Sequence, residues 1–147
     1  MLSKDFVIAG RAVVTLEVPA VFQHKFGTKP HYTYRIRHKE ANGNYGEAWF
    51  VQLLTGPENT NNFTYLGMLD AETGKVILTQ KSPYQVGSWP VSLLQRSLAN
   101  VWEGTQHKIE GAGFKLHHEG RCGRCGRALT VPESIENGIG PECVKRI

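Results

Sequence analysis

The chain has 147 residues, 40% of them hydrophobic and 20% charged, with 17 Lys and Arg against 13 Asp and Glu and a formal net charge of +4. That length fits about one domain, large enough to bury roughly 70% of its unfolded surface. No stretch approaches the roughly 18 apolar residues of a membrane span, and Met1 to Phe6 carry an acid and no continuous apolar region, unlike a signal peptide. The expectation is a cytoplasmic protein with no membrane partner, whose mild basic excess permits a polyanionic partner without requiring one.

Taken in order, residues 6–18 are rich in β-branched side chains and read as one or two strands, closed by Pro19. A loop with Phe22, Phe26, Gly27 and Pro30 follows. Residues 31–38 alternate, with Tyr32, Tyr34 and Ile36 on one face and His31, Thr33, Arg35 and Arg37 on the other, the mark of a half-buried strand. Asn42, Gly43 and Asn44 signal a turn. The near-continuous apolar run 48–54 reads as a central strand, residues 55–62 as a loop, and 63–69 as another strand. Asp70 to Gly74 forms a hairpin connection, with Gly74 left-handed, into a strand over 75–79.

The period then changes. Pro90 sits in the first turn of a helix running to about Glu103, with Val91, Leu94, Leu98, Val101 and Trp102 on one face and Gly104 as its stop. Residues 104–116 read as a connector. The fold class is therefore α+β. An antiparallel sheet of about five strands with one packed helix occupies residues 1–110, and residues 111–147 form a C-terminal module.

All three cysteines lie in that module: Cys122 and Cys125 form a Cys-x-x-Cys turn, and Cys143 follows Gly138-Ile139-Gly140-Pro141. Gly123 and Gly126 suit a knuckle in which two sulfurs converge on one ion. Thr130 and Glu133 match a capping box for a short helix, and Pro141 can start a last turn that carries Cys143. A knuckle plus a helix-borne cysteine resembles a treble-clef or zinc-ribbon arrangement, although Arg146 and Ile147 stand where the usual second helix ligand would be, so Zn2+ is the expected cofactor. The odd cysteine count argues against a disulfide framework, and no βαβ context supports a redox pair. Zinc takes four ligands; His118 is the favoured fourth, with His117 and Glu119 as alternatives. A thiolate-rich site with no evident general base reads as structural, so the expectation is not an enzyme; a zinc-dependent hydrolase would require an open coordination position.

Residues 118–145 resemble an uncharacterised small cysteine-containing domain common in bacteriophage and actinobacterial proteins. Upstream, Tyr32 to Arg35, Leu54 to Asn59 and Phe63 to Gly67 are similar to phage proteins that carry this tail. The resemblance implies a phage or prophage origin, hence the host bacterial cytoplasm, and a zinc site at Cys122, Cys125 and Cys143. It implies no activity.

From Val18 to Lys39 there is no acidic residue, while Lys25, Lys29, Arg35, Arg37 and Lys39 are interleaved with Phe22, Phe26, Tyr32 and Tyr34. Single-strand nucleic-acid binders combine cations with aromatic faces in this way. Tyr32 and Tyr34 share a face with Ile36, however, and so read as core. Arg35, Arg37 and Lys39 form one candidate phosphate patch; Arg121, Arg124 and Arg127, around the knuckle, form another. His31, His38 and His107 have no acid or nucleophile beside them in sequence and read as surface residues. The leading expectation is a small phage accessory protein that binds nucleic acid. The alternative is a phage-encoded inhibitor of a host enzyme or defence protein, using loop 55–62 or a sheet edge.

Overall fold

The computed structural model describes residues 2–43, 46–56 and 62–118. Cys122, Cys125, Cys143, Arg121, Arg124 and Arg127 lie outside them, and so does the expected zinc module from residue 119 on, Glu119 included. In chain order the elements are α1 (Lys4–Val7), β1 (Arg11–Glu17), α2 (Ala20–Phe26), β2 (His31–Lys39), β3 (Ala48–Leu54), β4 (Phe63–Leu69), β5 (Val76–Ile77), α3 (Trp89–Glu103), α4 (Gln106–Gly111) and β6 (Lys115–His118). The expected α+β class holds.

The strands make one antiparallel sheet in the order β5-β4-β3-β2-β1-β6. The first five strands form the expected meander, but the sheet has six. The sixth, β6, comes from a segment read as connector and tail, and it pairs Val14 with His118, Thr15 with His117, Leu16 with Leu116 and Glu17 with Lys115. Sheet pairing thus continues past residue 110.

Two further expectations are corrected. Phe6 and Val7 belong to a helical turn, α1, and not to a strand. The Ser3 side chain caps that turn by accepting from the Phe6 amide at 3.1 Å, and both Phe6 and Val7 are buried. The segment read as a loop around Phe22 and Phe26 is α2. Those two rings, one helical turn apart, pack at 4.6 Å, and Phe22 also meets Trp89 and Phe114 edge-on at 5.3 and 5.1 Å.

The alternation expected in β2 is present. Tyr32, Tyr34 and Ile36 are buried, whereas His31, Thr33, Arg35 and Arg37 are half-buried or exposed. This inner face continues through Ala12, Val14, Leu16, Val51, Leu53, Leu66 and Leu69 into one core with Val91, Leu94 and Leu98 of α3. Each fully buried Val, Leu or Ile side chain among these stabilises the fold by about 1.5–3 kcal/mol in area terms. Polar ties hold α3 across the face. Tyr34 Oη donates to Pro90 O at 2.6 Å. Gln95 Oε1 accepts from the Val76 amide at 2.6 Å, and Trp102 Nε1 donates to Ala71 O at 3.1 Å. Gly74, at φ 75°, makes the turn into β5, and a Cβ there would sit 2.6 Å from the Trp102 ring. Only glycine allows both that backbone conformation and that approach.

A bulge in β4 sets the last strands. Val51 pairs with Gly67 but Gln52 pairs with Tyr65, which leaves Leu66 as the extra residue, directed into the core. Among the described residues no helix is long and apolar enough to cross a membrane.

Candidate nucleic-acid interface

The core occupies one face of the sheet. On the other, the outer face, register gathers residues that are far apart in sequence. Arg11 pairs with Arg37, Arg35 with Gln52, Arg37 with Phe50, Gln52 with Tyr65, and Leu54 with Phe63. None of these side chains is buried; each is half-exposed or exposed. Three arginines therefore border three aromatic rings on one surface, and Lys39 extends the cationic row along β2.

The local contacts are specific. Arg35 Nε donates to Gln52 Oε1 at 2.7 Å, and its guanidinium lies 4.2 Å from the centre of the Phe63 ring. Burial, and then the neighbouring charge of Arg37, draw the Arg35 pKa below the ordinary arginine value. The Phe50 and Tyr65 rings lie 6.4 Å apart, tilted by 56°. Tyr65 Oη is tied to Thr79 Oγ1 at 2.9 Å. Arg37, Phe50, Gln52, Tyr65 and Lys81 line a depression of about 350 Å³.

Arginines directly opposite each other, as Arg11 and Arg37 are, are unfavourable for a sheet by themselves. Such a pairing concentrates positive potential where an anion could lie. Tyr32 and Tyr34 contribute nothing to this surface. They are core, and burial, with the nearby Tyr32 and Tyr84 phenols adding to it, pushes the Tyr34 hydroxyl pKa well up.

Of the residues on this face, the sequence singles out Arg35, Arg37 and Lys39 as candidates, and not Arg11, Gln52, Phe50, Phe63, Tyr65 or Lys81. Phe50 lies in an apolar run that reads as a central strand; Arg11, Gln52, Phe63 and Tyr65 join the patch through cross-strand register, and Lys81 from the turn after β5. His38 also differs from expectation: it stacks on Trp49 at 4.6 Å and bonds to Glu47 Oε1 at 2.6 Å.

β6 places the two candidate zinc-ligand histidines on opposite faces. His117 is on the outer face, where its Nε2 lies 3.1 Å from Glu17 Oε2 and holds that carboxyl below the usual carboxylate range. His118 is on the inner face, its ring 5.5 Å from Phe6. Among the described residues no three His, Cys, Asp or Glu side chains cluster as a metal site would require.

The fold and this surface define an α+β protein with one face of its sheet given to the core and the other carrying arginines and aromatic rings. A family of unknown function, DUF6011, matches residues 117–147, from the end of β6 through the cysteines. No curated protein and no solved structure matches the chain.

Proposed function

We propose that the protein binds single-stranded nucleic acid on the outer face of its sheet, by association and not by catalysis, as a small accessory protein of a bacteriophage. The observation that carries this reading is the register that sets Arg11, Arg35 and Arg37 beside Phe50, Phe63 and Tyr65. Cations tracking a backbone beside aromatic rings are the combination single strands need, and the rings of Phe50 and Tyr65 are partly exposed here. Arg121, Arg124 and Arg127 of the tail would add phosphate contacts.

A zinc ion held by Cys122, Cys125, Cys143 and His118 would order the tail. Three thiolates and one imidazole suit zinc, which would supply structure and no open position for chemistry. The engagement of His117 by Glu17 supports His118 as the fourth ligand.

The test is binding of labelled single- and double-stranded DNA and RNA as salt is raised. Affinity should fall steeply with salt, and single strands should bind better than duplex. Failure to bind any probe at low salt sinks the reading. Pull-down from nuclease-treated bacterial lysate separates it from the competing inhibitor reading, which requires a stoichiometric protein partner.

A further inference from the structure

The depression on the outer face has an unusual polar lining. Arginine has no acceptor, so the Arg35 Nε contact at 2.7 Å fixes which end of the Gln52 amide faces it: the oxygen. That leaves the amide NH2 as the uncommitted group of Gln52. Arg37 and Lys81, which share the lining, are donors only. The hydroxyl of Tyr65 is engaged by Thr79. The depression thus combines two ring faces with a set of donors.

A free glutamine amide reads adenine by accepting from N6 and donating to N7 together. With one lone pair of its oxygen already taken by Arg35, Gln52 makes that pair only by sharing the oxygen, whereas its NH2 is fully available. Its remaining donors match a base edge that presents a carbonyl: O4 of thymine or uracil, or O6 of guanine. Cytosine presents an N4 amine at the position where thymine carries O4, and would set donor against donor.

We propose that this depression is a base subsite selective for bases with a carbonyl at that edge, with Gln52 as its specificity-determining residue. Phe50 and Tyr65 supply the stacking surface, and Arg35 is a positioning residue that fixes the amide. The inference rests on the outer face binding single strands.

The test compares thymine and cytosine homo-oligomers of about a dozen nucleotides, a length within the usual range of single-strand sites. The two differ at the ring position that Gln52 would read. Wild type should bind the thymine oligomer roughly 3- to 10-fold tighter, the worth of about one net hydrogen bond. Gln52→Glu keeps an acceptor for Arg35 and replaces the NH2 by a second acceptor. It should weaken binding of both oligomers through its charge and shift the ratio toward cytosine. Gln52→Met removes the donor without adding charge and should bring the ratio near one. Thermal unfolding of both variants checks that each is folded. Equal wild-type affinity for the two oligomers overturns the subsite while leaving nucleic-acid binding intact. A ratio unchanged in both variants overturns the role of Gln52. Binding of neither oligomer at low salt overturns the functional reading and this inference with it.

Discussion

His117 and His118 are neighbours in sequence, yet the pleat of β6 sends them to opposite sides of the sheet. One pairs with Glu17 at 3.1 Å, the other lies against the Phe6 ring at 5.5 Å. A metal bound on one side of the sheet could therefore take only one of the two as a ligand. His118 stands where a metal bound to the tail would also be anchored to the core.

Metal removal should consequently act on the sheet as well as the tail. Stripping zinc with a strong chelator, or Cys143→Ser, is expected to speed amide exchange in β6 and along Val14 to Glu17 by roughly tenfold or more, while β3 and β4 stay protected. Unchanged exchange in β6 after complete metal loss would detach His118 from the metal.

Arg37→Gln should separate stability from binding. It removes the like charge opposite Arg11, so the fold should gain a few tenths of a kcal/mol in urea unfolding. The same change should weaken single-strand binding and lower the magnitude of the log–log salt slope by about 1. A loss of stability would mean the two arginines are held by other contacts.

Tyr34→Phe should change the pH dependence of stability. Burial raises the folded-state pKa of Tyr34, so its contribution is complete below its unfolded value of about 10 and is lost as pH rises above it. The phenylalanine variant lacks the bond to Pro90 O and should be about 1 kcal/mol less stable at neutral pH. Its stability should then decline less steeply above pH 10 than that of wild type. Parallel declines in urea titrations across that range would remove Tyr34 as the source.

Gly74→Ala should cost about 1–3 kcal/mol, because the residue holds φ 75° and its Cβ would meet the Trp102 ring. A lowered urea midpoint with an unchanged slope is the expected signature. A midpoint equal to wild type would show that the turn and Trp102 can move apart freely.

Where pattern is local, it was readable. Tyr32, Tyr34 and Ile36 in β2, and Val91, Leu94 and Leu98 in α3, mark their buried faces by spacing alone. α1 is masked in the sequence because Phe6, Val7 and Ile8 have strand composition, while the decisive features are a serine cap at Ser3 and a break at Gly10. α2 was hidden between prolines, its pairing of Phe22 with Phe26 too short to register as a period. β6 spans only Lys115–His118 and depends on β1 for its definition. The outer-face surface was least legible, since Arg37, Phe50 and Tyr65 become neighbours only once three strands are in register.

The pairing of β6 with β1 also bears on how a newly made chain reaches this fold. β1 emerges early and finds β2 at once, but its other edge waits until Lys115–His118 has been synthesised. Until then a row of unsatisfied amides and carbonyls on the first strand is open to any passing strand. A chain cut short before Lys115 would keep that edge exposed, so such fragments are expected to pair with one another or aggregate. Lys115–His118 thus act as a closing seam on the free edge of β1.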